Sequence, residues 1–282
     1  MIKNYLIKKG LLVSSSLFVI LMGLILLFIF TEASPLFNEY GFIKFIMGLK
    51  WAPDDYNFGI FPMIVGSIYV TGISLILAIP LSISCAIFLE EMAPNNIKLL
   101  FKPIIQTLAG IPSVVYGLFG LTVLVPFIQE NFNSNALGIL SASIILAIMI
   151  LPTIISVSQD AIRNVPDYLR EASMGLGANQ WQTIKNIVIP VALPGIITAI
   201  ILGIGRAIGE TLAVLMLVGN VAQVPNSIFD SARTLTSNIA LEMNYATGMH
   251  YNALFATAGI LLIVIVLLML LSNYIQNKYA IK

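Results

Sequence analysis

The chain has 282 residues, 59% of them hydrophobic and only 10% charged, with a formal net charge of +1 at neutral pH. Soluble domains carry about 25% charged residues, and this composition offers no basic surface for nucleic acid. One histidine and one cysteine argue against a histidine-rich metal site, a histidine-dependent hydrolase triad and an intrachain disulfide.

Apolar segments of about 20 residues, enough to cross a bilayer, fall at 11–30, 63–89, 104–128, 138–158, 194–219 and 253–275. The first follows a basic head, MIKNYLIKKG. Its body exceeds the 7–15 residues of a signal-peptide core, so it is predicted as a retained membrane helix, with TEAS (31–34) as the alternative cleavage site. Cys85 in the second segment reads as a small buried apolar side chain. Pro80, Pro112, Pro126 and Pro152 are the internal kinks that membrane helices tolerate.

Basic residues orient the six helices. With the N-terminus inside, ten fall in inner segments (Lys3, Lys8, Lys9, Lys98, Lys102, Arg163, Arg170, Lys185, Lys278, Lys282), against Lys44, Lys50 and Arg233 outside. The positive-inside rule then places both termini in the cytoplasm. The outer segments, 31–62 and 220–252, are rich in aromatics, and Trp51, Tyr40, Tyr56 and Tyr251 suit an interfacial belt. His250 sits near that interface with no apparent metal-ligand partners. No fixed-period repeat or separate soluble domain is evident, so residues 1–282 are read as one all-α transmembrane domain.

The longest inner stretch, 158–195, reads as two short helices. Pro166 suits a first helical turn; Tyr168, Leu169 and Ala172 form an apolar side; Gly175 and Gly177 permit the closing turn. Asn179 is a candidate N-cap, Trp181, Ile184 and Val188 share one face by spacing, and Pro190 and Pro194 are expected to break the chain before the fifth span. Such a pair of helices suits either a groove on a partner or the membrane surface. The spacing then becomes specific. Glu171-Ala172-Ser173, three residues, Gly177, nine residues and Ile187-Val188-Ile189-Pro190 resemble the EAA loop of ABC-importer permeases, with Ser173 and Ile189 as mild departures. The resemblance implies that this loop docks into a cytoplasmic ATPase and couples ATP hydrolysis to the membrane helices, which favours the partner groove.

LAGIPSVVYGLFGL (108–121) and GRAIGETLAV (205–214) are similar to the phosphate-specific permease pair, and KWAPDDYNFGIFPMIVGSIYVT (50–71) resembles its PstC branch more than its PstA branch. The resemblance implies a type I importer permease fold in the cell membrane. It also implies a PstA-like second permease, two copies of a PstB-like ATPase, a PstS-like extracytoplasmic binding protein, and inorganic phosphate as substrate. No G-x-x-x-x-G-K-[ST] stretch occurs, so ATP and its magnesium belong to the partner ATPase. A permease for sulfate, molybdate or tungstate would share this pattern, and a secondary transporter is disfavoured by the loop.

Arg206 and Glu210 stand in the fifth apolar segment. Gly203, Gly205 and Gly209 miss the dinucleotide fingerprint by one residue and follow no strand; Gly205-x-x-x-Gly209 is instead a helix-packing spacing. A charge in a membrane centre costs about 2.5–3.5 kcal/mol on insertion scales, and a pair at i and i+4 on one face would offset part of it. Arg206 is expected to face the translocation path and grip the oxyanion with its two-pronged guanidinium, Glu210 holding it in place. Thr107, Ser113, Tyr116 and Thr211 are weaker path candidates, since hydroxyls also bond back to helix carbonyls.

Overall fold

The computed structural model describes residues 2–132 and 136–279. Lys282, counted in the charge bias, lies outside the described residues. Among the described residues, six helices are long and apolar enough to span a membrane: Lys8–Glu39, Phe61–Met92, Ser113–Phe132, Ile139–Arg163, Gln180–Gly209 and Met249–Ile275. The predicted number holds; several bounds do not.

Helix α1 (Ile2–Glu39) runs without a break through TEAS, and its Ala33 and Leu36 are buried against the last helix. A short helix α2 (Phe42–Met47) and a two-stranded hairpin, β1 (Trp51–Ala52) with β2 (Asn57–Phe58), precede the second span. That span is α3 (Phe61–Ile87), extended by a π turn at Phe88–Met92. The predicted third segment is split. Helix α4 (Asn95–Gly110) stops at Ile111, and α5 (Ser113–Phe119) starts a new helix that continues through a π turn into α6 (Val125–Phe132). Pro112 explains the break: its ring forces the preceding residue out of helical geometry, and Ile111 has ψ 129°.

Helix α7 (Ile139–Arg163) is the most enclosed of the spans and organises the core. It meets α3 along Ser74, Ala78, Ser82 and Ala86, all buried and four residues apart. Small side chains at that spacing let helices approach closely, and Ser143 of α7 donates to the Val70 carbonyl of α3 at 3.2 Å. After the loop helix α8 (Asp167–Gly175), helix α9 (Gln180–Thr183), a π turn (Ile184–Val188) and α10 (Ile189–Gly209) form one continuous rod. The expected break at Pro190 and Pro194 is therefore absent. The π turn widens the hydrogen-bond ladder just before Pro190, which gives the ring room a regular turn would deny. Helix α10 lies on α7 through Gly203, where an added Cβ would stand 2.7 Å from Ile154 Cγ1. Gly205 and Gly209, the glycines expected to pack, face open space.

Short helices α11 (Leu212–Leu217) and α12 (Leu235–Glu242) precede α13 (Met249–Tyr279), which packs on α1 and α10. At the hairpin end of the molecule one expectation is corrected and a buried cluster is added. Trp51 is not a belt residue: it is buried, and its Nε1 donates to Glu242 Oε2 at 2.8 Å. His250 has a partner, Glu242, at 2.8 Å, and Arg233 pairs with the other oxygen of the same carboxylate at 2.6 Å. The Trp51 link is invisible in sequence because 191 residues separate it from Glu242, whereas His250 lies only eight residues from that carboxylate. Removing one member of a buried charged cluster costs about 3–5 kcal/mol. Glu242→Gln is accordingly expected to lower the thermal unfolding midpoint of the purified protein, which tryptophan fluorescence of Trp51 can follow.

Candidate functional site: the loop-end helix and a membrane arginine

Helix α8 is short and polar, and it is held from both sides. Arg170 does most of this. Its guanidinium donates to Glu91 (Nη2 to Oε1 2.8 Å, Nε to Oε1 3.2 Å), to the Ile162 carbonyl at 2.9 Å and to Asp167 at 3.0 Å, with a further bond to the Val165 carbonyl. Its side chain is 17% exposed and that of Glu91 10%. Gln180 adds a bond from Nε2 to the Glu91 carbonyl at 2.6 Å. Beside them Arg163 pairs with Glu90 at 2.6 Å. Glu90 and Glu91 lie in the π turn that ends the second span, so α8 is clamped to that span as well as joined to the fifth. Neither carboxylate stood out in the sequence; a pair of acids just past an apolar run was the only signal.

The other side of α8 is closed by local geometry. Gly177 adopts φ +89°, where a side chain would be strained, and the Ala178 N–H returns to the Ser173 carbonyl at 3.2 Å. Asn179 is the predicted N-cap, in a reciprocal capping box with Gln182. The Ser173 and Thr183 hydroxyls meet at 2.9 Å across the turn, so the serine that departs from the loop pattern fastens the two helices together. Ile184 and Val188 are buried beneath; Trp181, expected on the same face, is 60% exposed. Tyr168, Glu171, Ala172 and Leu176 are exposed too, Leu169 and Ile187 are half-buried, and Pro190 is exposed on the rod that follows. Leu176 at 91% exposure is an apolar side chain displayed with nothing on it.

The membrane pair looks different from its sequence reading. Helix α10 ends at Gly209, and Glu210 is extended (φ −68°, ψ 131°). Arg206 and Glu210 therefore do not share a helix face, and they form no ion pair among the described residues. Glu210 serves the chain turn instead: its Oε1 accepts from the Ala213 N–H at 3.3 Å and its carbonyl accepts from Thr236 at 2.9 Å. A carboxylate at the start of a helix is favoured by the unpaired N–H groups there, which is why α11 begins at Leu212. Arg206 is exposed on the open side of α10, with one hydrogen bond among the described residues, Nη1 to Thr153 Oγ1 of α7 at 3.3 Å.

The remaining candidates divide. Tyr116 is buried within electrostatic range of Arg206, and its hydroxyl donates to the Leu108 carbonyl at 2.8 Å, bridging the break at Pro112. Ser113 is half-buried at the start of α5. Thr107 bonds back to the Pro103 carbonyl at 2.8 Å and Thr211 to that of Gly209 at 3.2 Å. Both thus follow the back-bonding alternative. Thr153, which holds Arg206, was not singled out in sequence.

Residues 78–281 match the family described as "Binding-protein-dependent transport system inner membrane component". The chain belongs to this family of ABC-importer permeases. The permease is 45% identical over 251 residues to a probable ABC transporter permease protein, YqgH, of Bacillus subtilis, covering 87% of this chain and 81% of that one. It is 34% identical over 255 residues to the phosphate transport system permease protein PstC of Haemophilus influenzae, covering 83% and 81%. Its fold resembles a solved chain of the MetNI methionine ABC transporter in inward-facing conformations (TM-score 0.62, 18% identity, 82% of this chain and 99% of that one). It resembles equally a chain of a bacterial alginate ABC transporter crystallised with its periplasmic protein (0.63, 16%, 94% of each). The permease is a transport subunit of a multi-pass inner-membrane importer and not itself an enzyme. Its family works with a second permease, an ATPase and a substrate-binding protein.

Proposed function

We propose that this permease forms half of the membrane pathway of an ATP-driven phosphate importer, residues 1–282 acting as one domain with 158–195 as its coupling segment. The observation that carries the substrate is the similarity, at 33–34% identity over most of the chain, to proteins named PstC. Arg206 supports it: a permanently charged fork on the open side of a membrane helix suits a tetrahedral oxyanion. The partners on this reading are a PstA-like permease, two PstB-like ATPases and a PstS-like binding protein. Both termini and α8 lie on the cytoplasmic side, as the lysine and arginine bias requires, and the hairpin at Trp51–Phe58 faces the binding protein.

Reconstitution with these partners tests the substrate. ATP-dependent uptake of labelled phosphate, uncompeted by sulfate or molybdate, is expected; uptake of sulfate or molybdate in its place overturns the assignment. The docking surface is tested at Ala172, exposed in the middle of α8. Ala172→Arg is expected to lower co-purification of the ATPase at least about tenfold, as a buried charge at an interface centre does, with membrane insertion unchanged. Unaltered co-purification and uptake would remove α8 as the docking element.

A further inference from the structure

Helix α7 is the most enclosed span, yet it carries a polar line. Thr153, Ser156, Asp160 and Arg163 recur at i, i+3, i+7 and i+10, which is one face of a helix, and all four are exposed or half-buried. Ile154, Ile155, Ser158 and Ile162, on the other faces, are buried. The line begins at the membrane arginine, since Thr153 is the residue that holds Arg206. It descends about 15 Å along the helix toward the loop end.

There it enters a cavity of about 490 Å³ walled by α7 and by Lys98, Lys102 and Gln106 of α4. Three basic residues (Lys98, Lys102, Arg163) and two acidic ones (Glu90, Asp160) line it, an excess of one positive charge. Arg163 engages both acids, Glu90 at 2.6 Å and Asp160 at 3.7 Å. Among the described residues, Lys98 donates only to a backbone carbonyl, that of Glu90, at 2.9 Å. Lys102 has no hydrogen bond or ion pair among the described residues. Two ammonium groups are therefore left without a matched carboxylate, beside the Gln106 and Gln159 amides and the Ser156 hydroxyl, all capable of donating to an anion.

We propose that this cavity is a second, weak oxyanion site: the place where transported phosphate pauses after Arg206 and before release at the loop end. It rests on the phosphate-importer reading above. Weakness suits the task, because an ion held tightly there would arrest the cycle; the exposure of Lys102 and the two acids in the wall supply it. A phospholipid headgroup carries the same chemistry at the same depth, so the experiment separates the two sources.

Proteoliposomes holding the complete transporter, loaded with ATP and graded inorganic phosphate on the loop side, are fed labelled phosphate through the binding protein. Internal phosphate is expected to slow uptake in the unmodified complex. Lys102→Gln should raise the half-inhibitory concentration about threefold, the scale of one exposed charge, and Lys102→Arg should restore it. The series is run in phosphatidylcholine alone and with anionic phospholipid. An effect of Lys102→Gln on uptake that appears only with anionic phospholipid, without altered phosphate inhibition, makes the cavity a headgroup site and overturns the proposal. Uptake that internal phosphate never slows, or slows equally in the variant, also overturns it and leaves the importer assignment standing. No phosphate uptake by the unmodified complex overturns the importer assignment, and this site with it.

Discussion

Arg206→Ala is expected to lower phosphate uptake by about two orders of magnitude while the protein still inserts and assembles. Two charge-assisted hydrogen bonds at about 1.5 kcal/mol each give about 3 kcal/mol, and 1.4 kcal/mol is a factor of ten. Assembly should survive because Arg206 has a single hydrogen bond among the described residues, to Thr153, and faces open space. Arg206→Lys keeps a charge and loses the fork, so it should retain an intermediate rate. Near-normal uptake by the lysine variant would remove two-pronged recognition. Exchanging Arg206 with Glu210 is expected not to restore transport: Glu210 caps the start of α11 and is not a partner of the arginine. Labelled-phosphate uptake by the reconstituted complex measures all three.

The second large effect belongs to Arg170. Arg170→Ala is expected to uncouple the transporter, with phosphate moved per ATP hydrolysed falling about tenfold or more and ATP hydrolysis persisting. The variant deletes the bonds that α8 itself makes to the second span, sparing only that of Gln180 just beyond it, and leaves Glu91, 10% exposed, without its counter-charge. Losing one partner of such a pair costs about 3 kcal/mol or more, enough to free a nine-residue helix that has no buried residue of its own. Glu91→Ala should act alike, and the double variant should be little worse than either single one, because all three break the same contact. The measurement is uptake and ATP hydrolysis on one sample, with hydrogen exchange at 166–178 reporting release of the helix. Tight coupling in both single variants would show that force enters through the fifth span alone.

That clamp also shows where sequence reasoning reaches and where it stops. The Glu171–Pro190 spacing was legible because helix caps and left-handed turns depend on near neighbours: Gly177 and Asn179 do in the structure what their residue types require. Glu91, by contrast, lies 79 residues before Arg170, and nothing local distinguishes it from any acid that ends an apolar run. The same division runs through Arg206 and Glu210. Their identities and their cost in a membrane could be read directly. Their pairing could not, because i,i+4 spacing implies one face only while the helix lasts, and the helix ends between them. Pro190 misled in the opposite direction, since the π turn that accommodates it is set by the packing of Ile184 and Val188 beneath the loop.

By itself, the sequence determined that this is a six-span membrane permease with a two-helix loop between its fourth and fifth spans. Hydropathy, charge bias and capping are properties of runs of adjacent residues, and they survive without knowledge of neighbours in space. The tertiary structure alone decided which polar groups meet: Trp51, Arg233 and His250 on one carboxylate, Arg170 on Glu91, and Thr153 on Arg206. In an apolar medium a polar group must find a partner or a use. Which partner it finds depends on helix packing between distant parts of the chain, and that packing left Arg206 on an open face with a polar track beneath it.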